Sequence, residues 1–578
     1  MGVDPVRRIV VPSCQMRFVP VLTLLVAFAA CSAPEPKPGL IEQTQEITEV
    51  FETPQAYSVR TLDSISIERF LVQHPEYSTD STDIRAFYQR RHYQYAWFVN
   101  DSLSQAASGF FSLVNSADTA YREVASVRDQ LSDLLMTTHL TAADSLACDS
   151  CREQLELALT AQFFRFADKK YGGIVAGDLR ELDWFIPRRK KNYAQLLDSI
   201  AAGHMDLSPV EPLHPQYALL KAQLKHYYEL DALVGWDPIT LGELKKLLPG
   251  ETASPVPDIR QRLMVLGDLI SEGDTINLSS TRYDSTMVKA VKRFQERHGL
   301  HPDGVIGKGA ISALNTTPQE RVRTMLVNME RLRWVPESTA PDLILVNIPE
   351  FRMHVYEEGK VAWSMDVVVG NGATRTVIFS DTLSRVVFSP TWSVPASIVR
   401  NEILPGMAKN PNYLASKGME ITGGSPDLPT IRQNPGAGNA LGRVKFLFPN
   451  EYSIYFHDTP SKGGFAREKR AFSHGCIRLS EPARLAEYLL RNDTAWTADS
   501  IKTAMFKGKE RYVRLKEKRP VTIGYFTTWV DGQGRLNFRE DVYGHDDRLA
   551  QELFAEETLA LLLPQRSDTT MSSVSAPK

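Results

Sequence analysis

The spacing of hydrophobic positions changes several times along this chain, and each change marks a different kind of element. Phe18 to Ala30 is apolar apart from Thr23, follows Met16-Arg17, and runs into Ala29-Ala30-Cys31-Ser32. A basic start, a short apolar core and small residues at its end describe a secretory signal over 1–31, too short for a spanning helix. Met16 suits initiation better than Met1, because the residues before it fit no signal. Residues 32–57 are rich in Pro, Glu, Thr and Gln and poor in large aliphatics, the composition of a flexible tether. From about Ile65 to Leu248 the pattern is helical. Ile84, Phe87, Tyr88 and Arg91 recur at helical spacing, and Leu155, Leu157, Leu159, Phe163 and Phe166 do so more loosely. A helical domain over 58–250 is predicted, with no visible chemistry; His74 and His92 belong on a solvated face or in local hydrogen bonds.

A second helical pattern fills 255–316. Val288, Val291, Phe294 and His298 share a face, followed by Gly299-Leu300 and a tight Asp303-Gly304-Val305-Ile306-Gly307 turn into Ala310-Ile311 and Leu314. A charged helix, Gln319 to Arg333, lies in a connector over 317–340 and ends at Trp334-Val335-Pro336. From Asp342 the period shortens to that of strands. Leu343–Ile348 and Arg352–Tyr356 are separated by Pro349-Glu350, and a Glu358-Gly359 turn leads into Ser364–Gly370. A β-rich domain over 341–548 is predicted. Within it, residues 401–439 are long, polar and aperiodic, the mark of a lid or binding loop. A helix and a disordered tail complete 549–578. The fold class is multi-domain α+β.

Composition narrows the function. The chain has 578 residues, 43% of them hydrophobic, enough for several cores. A net charge of −3 without a long basic run argues against a nucleic-acid partner. Of five cysteines, Cys14 and Cys31 fall in the leader. Cys148-Asp149-Ser150-Cys151 could be a redox pair, half a metal site or a local disulfide. No second pair completes zinc ligation, and an oxidising compartment favours the disulfide. That leaves Cys476 as the odd thiol. No cofactor or metal-ligand cluster is evident, and His354, alternating with apolar strand neighbours, reads as structural.

Cys476 sits in Ser473-His474-Gly475-Cys476-Ile477-Arg478-Leu479, and His457 ends the apolar run Tyr452-Ser453-Ile454-Tyr455-Phe456 upstream. A free thiol is only slightly ionised at neutral pH, so nucleophilic cysteine chemistry needs a base. It also needs backbone N–H groups aimed at an oxyanion, and Gly475 permits close approach of the main chain. An isolated His-Gly-Cys would more often mark a buried structural cysteine at a turn.

His457-Asp458-Thr459-Pro460, a gap, and then Ser473-His474-Gly475-Cys476-Ile477-Arg478 resemble the signature of the L,D-transpeptidases, cysteine acyltransferases that cross-link bacterial peptidoglycan. Pro435 to Phe446 and Thr528-Trp529-Val530-Asp531-Gly532 are similar to segments of the long, multi-domain members. Phe87-Tyr88-Gln89-Arg90-Arg91, up to Ala96-Trp97, resembles their scaffold domain, and 255–316 resembles a three-helix peptidoglycan-binding module, which in the family either holds glycan or braces the enzyme. The resemblance implies a β-sandwich catalytic domain whose insertion caps the site. Ala29-Ala30-Cys31 resembles a lipoprotein cleavage site, although Phe28 stands where Leu is usual.

The resemblance also implies the roles. His457 takes the proton of Cys476, and the Asp458 carbonyl orients the other imidazole nitrogen. Backbone N–H groups of Gly475 and Cys476 hold the oxyanion, with His474 nearby, and Arg478 either holds a carboxylate or braces the loop. The expected reaction joins Cys476 to a tetrapeptide stem as a thioester, releases D-Ala and passes the acyl group to an amine, giving a 3→3 cross-link. No metal or cofactor is required. The expected partners are peptidoglycan stems and glycan, a membrane through the lipid anchor, and a stem amine, an envelope-protein lysine or a free D-amino acid as acceptor. The expected location is the periplasm of a Gram-negative bacterium. Alternatives are an L,D-carboxypeptidase using water, and a wall-anchoring lipoprotein without activity.

Overall fold

The computed structural model describes residues 60–554, except 100–101, 117–148, 174, 176–177, 189–190, 203, 205–209, 234, 271–276 and 337–339. The leader, the tether, Cys148 and residues 555–578 lie outside the described residues.

Helices α1 (Ser64–Gln73), α2 (Ser81–Arg90), α3 (Gln105–Ser116), α4 (Asp149–Ala167), α5 (Tyr193–Ala201) and α6 (Pro215–Leu233) form the first body. α4 runs through its middle, and Leu155, Leu157, Leu159, Phe163, Phe164 and Phe166 are all buried. A helix enclosed on every side has no polar face to set a period, which is why its pattern is loose in sequence. Its polar residues find partners inside: Glu156 accepts from the Ala96 and Trp97 N–H groups at 2.6 and 3.0 Å and from the Tyr88 hydroxyl at 2.9 Å. His74 lies at the surface beside Glu76.

α7 (Val256–Val265), α8 (Ser285–Arg297) and α9 (Lys308–Asn315) pack around a separate core that includes Ile259, Leu263, Met287, Val291, Phe294 and Leu314. α10 (Pro318–Trp334) follows, capped by the reciprocal Thr317–Glu320 box. The sequence marks it as a charged connector, yet Glu330, Arg331 and Arg333 are buried. Arg333 pairs with Glu330 at 2.8 Å and Arg331 with Asp546 at 2.5 Å. Paired charges of this kind are invisible to hydropathy, because the partner of Arg331 is far along the chain.

The β-rich body comprises β1 (Leu343–Asn347), β2 (Arg352–Glu357), β3 (Lys360–Gly370), β4 (Phe379–Phe388), β5 (Trp392–Ser393), β6 (Met419–Ser425), β7 (Leu428–Gln433), β8 (Val444–Leu447), β9 (Phe456–His457), β10 (Ala471–Ser473), β11 (Ile477–Leu479) and β12 (Arg511–Gly524). Nine of these strands make one sheet in the order β10-β3-β11-β9-β8-β4-β12-β1-β2, and β2 also pairs with β3. The long β3 therefore closes the ladder, pairing with β2 early and with β11 late. Glu358 and Gly359 both take positive φ, 50° and 75°, the turn that the alternation on either side predicts. His354 bridges Ser364 at 2.7 Å and Glu350 at 2.9 Å on this hairpin.

The segment read as an aperiodic loop is folded. β5, β6 and β7 form their own three-stranded sheet, and short helical turns over 396–409 and Tyr413–Ser416 join it. Val394, Ile398, Val399, Ile403 and Ile431 give it a separate small core. Its helices are too short to show a period, and Gly423-Gly424 interrupts the strand alternation.

The first body, α10 and the β-rich body share one continuous hydrophobic cluster. Trp184 packs edge-on against Trp334 with centroids 5.2 Å apart, and bridges in parallel to Ile378 ahead of β4. One to two turns earlier on α10, Asp546 accepts from Arg331 and from the Thr527 hydroxyl at 2.6 Å, while Asn328 bonds both the N–H and the hydroxyl of Thr527. Burial pushes the Asp546 carboxyl up and the Arg331 charge opposes that shift. Arg331→Ala should therefore cost about 3–5 kcal/mol by stranding a buried charge, and Arg331→Leu combined with Asp546→Asn should cost less. Chemical denaturation of both variants checks this ordering.

Candidate active site

The site is built on the short parallel ladder between β9 and β11. Phe456 lies opposite Ile477, and His457 opposite Arg478. Opposed residues of a parallel pair project to the same side, and side chains alternate along each strand. Phe456 and Ile477 therefore share the inner face, where both are fully buried. Tyr455, His457, Cys476 and Arg478 are left together on the outer face. The Ile477 N–H donates to the Tyr455 carbonyl at 3.1 Å and fixes this register beside Cys476.

His457 is buried, and its Nδ1 lies 2.5 Å from the Asp458 carbonyl oxygen. A carbonyl only accepts, so Nδ1 carries the proton and Nε2 keeps its lone pair. Burial, reinforced by the Arg478 charge, depresses the imidazole to about 4, so it is neutral at physiological pH. The Asp458 carboxylate faces elsewhere, accepting from the Arg443 N–H at 2.8 Å and from Lys462 Nζ at 2.7 Å. Gly442, at φ 62°, comes so close to this carboxylate that a β-carbon would overlap it.

The Cys476 thiol lies 3.6 Å from the Ser453 carbonyl, which it faces as donor. Burial pushes the thiol up, opposed by donors from the Tyr455 backbone and hydroxyl and by the Arg478 charge. Tyr455 is itself shifted up by burial and keeps its proton; its hydroxyl also meets the Trp392 side chain at the start of the folded insertion. Thiol and imidazole are thus both neutral at rest.

Gly475 adopts φ 107°, a conformation that favours glycine. Its N–H, expected as an oxyanion donor, donates to Ser473 Oγ at 3.2 Å, and Ser473 Oγ donates to the Cys476 carbonyl at 2.6 Å. The Ser473 hydroxyl draws the turn into a small ring and occupies that donor. Among the described residues the Cys476 N–H makes no backbone hydrogen bond. His474 points outward, with Nε2 2.8 Å from Glu402 Oε1 of the insertion, both half-exposed. Arg478 is partly buried, and its Nε is buried without a hydrogen-bond partner. Its guanidinium, held down by burial, carries its charge facing Cys476. No group of three or more His, Cys, Asp or Glu among the described residues is placed to hold a metal.

The structure brings His457, Asp458, Gly475, Cys476 and Arg478 together and sets His474 at the rim. Sequence reading missed Tyr455, although its place two residues before His457 on a strand puts it on the same face. It also missed Trp392 and Glu402, which only the folding of the insertion brings here.

Residues 341–523 match the L,D-transpeptidase catalytic domain, 82–224 a scaffold domain, and 252–314 a domain described as "Putative peptidoglycan binding domain". Over 240 residues the chain is 32% identical to a protein of Haemophilus influenzae described as "Putative L,D-transpeptidase", covering 39% of this chain and 48% of that protein. The match thus spans about half the length of that relative. An L,D-transpeptidase from Xylanimonas cellulosilytica is 16% identical over 49% of this chain and 98% of that chain, with a TM-score of 0.17. One from Stackebrandtia nassauensis is 14% identical over 48% and 95%, with a TM-score of 0.20. L,D-transpeptidase 3 from Mycobacterium tuberculosis, solved with a faropenem-derived adduct, is 16% identical over 32% and 60%, with a TM-score of 0.16. At these scores the structural likeness carries no weight beside the residue matches.

The protonation state of His457 is directly measurable. Its imidazole should stay neutral as pH falls to about 4 and become a cation only below that. An NMR titration of ring-labelled protein, assigned with His457→Gln, checks this; titration near the ordinary 6.5 would contradict it.

Proposed function

Because residues 341–523 are an L,D-transpeptidase catalytic domain, accompanied by a scaffold domain and a peptidoglycan-binding domain, we propose that this protein cross-links peptidoglycan by cysteine acyl transfer. The observation that carries the reading is the shared face of β9 and β11. It holds a thiol, an imidazole with its free nitrogen set by Asp458, a constitutive hydroxyl donor and a guanidinium.

In the first half-reaction the Cys476 thiol turns from Ser453 and gives its proton to His457 Nε2. The sulfur attacks the carbonyl of the third residue of a tetrapeptide stem. The Cys476 N–H receives the developing oxyanion, joined by the Gly475 N–H once its long bond to Ser473 yields. The tetrahedral adduct collapses, the C–N bond breaks, and His457 returns the proton to the departing D-Ala amine, leaving a thioester. An acceptor amine then attacks this thioester, His457 takes its proton, and the thiol is released again. Tyr455 donates to the sulfur as its charge develops. Arg478 holds a stem carboxylate: a charged group with a buried, unpartnered Nε is better suited to receiving an anion than to bracing the loop.

The folded insertion, touching the site through Trp392 and Glu402, shields the thioester from water and so favours transfer over hydrolysis. The limits that go with this reading are 58–250 for the scaffold, 255–316 for the wall-binding module, 317–340 for the connector and 341–548 for the enzyme. A family acting on peptidoglycan belongs in the cell envelope, and Cys31 would anchor the chain there as a periplasmic lipoprotein.

Cys476→Ala should abolish transfer from a tetrapeptide donor to an amine, read by mass spectrometry of the muropeptide products. Retained cross-linking would overturn the assignment. In the intact enzyme a carbapenem, whose strained carbonyl meets the same thiol and N–H donors, should add to the tryptic peptide that contains Cys476; adducts elsewhere with Cys476 unmodified would count against the site. Tyr455→Phe should slow acylation about 10- to 100-fold, following the ~1.5–3 kcal/mol of a hydrogen bond to a charged atom. Rapid-quench acylation kinetics measure it.

A further inference from the structure

The loop between β3 and β4 holds the nucleophile turn from behind. The Asn371 N–H and the Thr374 hydroxyl both donate to the Ser473 carbonyl at 3.0 Å. The Thr376 hydroxyl donates to the Gly475 carbonyl at 2.7 Å and accepts from the Gly370 N–H at 2.9 Å. Thr376 is fully buried, and its own N–H donates to the Tyr543 hydroxyl at 3.2 Å, which in turn donates to the Gly370 carbonyl at 2.7 Å.

The Gly475 carbonyl and the Cys476 N–H belong to one planar trans peptide, in which the two groups point in opposite directions. Whatever fixes the carbonyl therefore also aims the N–H. Thr376 draws the carbonyl inward, and the N–H of the nucleophile is turned away from the loop. Gly475, with no β-carbon and φ at 107°, would otherwise let this peptide rotate.

The same loop is held from the scaffold body. The Ile378 N–H donates to the Asp183 carbonyl at 2.8 Å, and the Phe185 N–H donates to the Ile378 carbonyl at 2.7 Å. Arg375 Nη1 reaches Asp183 Oδ2 at 3.1 Å. Asp183 stands in the left-handed region, φ 54°, at the end of a short helix, Leu179–Leu182, so its backbone is set by that body. An unbroken path of bonded groups runs from Asp183 through Arg375, Ile378 and Thr376 to the peptide that carries the Cys476 N–H.

We propose that Thr376 is a positioning residue for the transfer reaction, fixing the peptide that aims the Cys476 N–H at the oxyanion, with the scaffold segment Asp183–Phe185 clamping the loop on which it stands. This rests on the reading of Cys476 as the nucleophile. It gives the scaffold a part in turnover rather than in attachment alone.

The test uses the full chain and two reactions of one sulfur. Acyl transfer from a tetrapeptide donor builds an oxyanion; alkylation by iodoacetamide does not. Thr376→Val keeps the shape and removes the hydroxyl. It should lower kcat for transfer about 10- to 100-fold with KM little changed, a smaller loss than the ~10²–10³-fold of deleting an oxyanion donor. Alkylation of Cys476 should remain within about threefold of wild type, and Thr376→Ser should recover most of kcat. Asp183→Ala should lower kcat in the same sense without slowing alkylation. Wild-type kcat in Thr376→Val, equal losses of transfer and alkylation, or a Thr376→Ser variant as slow as the valine would each overturn the proposal. If Thr376→Val fails to fold, Thr376→Ser and Asp183→Ala still decide it, since full loss in the serine variant or full activity in the alanine variant contradicts it. Failure of the nucleophile assignment shows separately, as transfer by Cys476→Ala.

Discussion

In a parallel pair of strands, residues directly opposite each other stand on one side of the sheet, and the four-residue arrangement at β9 and β11 depends on that rule. Had His457 and Cys476 been brought together by loops, with no shared ladder, the imidazole would need separate support to stay beside the sulfur. Here one register aligns Tyr455 with the Gly475-Cys476 turn and His457 with Arg478, while Phe456 and Ile477 anchor both strands in the core. Slipping the register by one residue would exchange the two faces, burying the reactive groups and exposing the anchors. The apolar pair behind the site is thus as necessary to its geometry as the polar groups in front.

The electrostatics of this face favour a neutral resting pair. Burial disfavours the imidazolium and the thiolate alike, and the nearby guanidinium opposes the first while easing the second. In the proposed reaction, proton transfer from sulfur to His457 is consequently drawn forward by substrate rather than stored in a resting ion pair. A thiol that stays protonated until a carbonyl and its N–H donors are in place is less open to oxidation than a permanently ionised one. Tyr455 and Arg478 both oppose the upward shift that burial imposes on the thiol, as solvent would for an exposed one.

Around this centre, parts of the chain differ in how they are held. The three-helix module of α7–α9 and the folded insertion have cores of their own, whereas the scaffold, α10 and the β-rich body share one. A shared core transmits position: Trp184 and Asp183 reach the loop behind Cys476 because no solvent layer separates the bodies. A separate core allows an element to move as a unit, which suits an insertion that touches the site through Trp392 and the half-exposed Glu402–His474 contact.

The sequence by itself determined those features whose cause is local. Alternation and a Glu-Gly turn placed the β2–β3 hairpin, helical spacing placed α8, and the types and order of residues from His457 to Arg478 named the candidate chemistry. Tyr455 lay within reach of the same logic, one strand period from His457. What the tertiary structure alone decided depends on residues distant in the chain. Asp546 explains why the charged α10 can be buried, and Thr376 explains how a flexible glycine peptide holds one orientation. The insertion, aperiodic in sequence, folds because contacts among Val394, Ile403 and Ile431 outweigh weak local preference. Local pattern records which face a residue prefers; only packing settles which partner meets it there, since that choice is made by groups the chain brings together from hundreds of positions away.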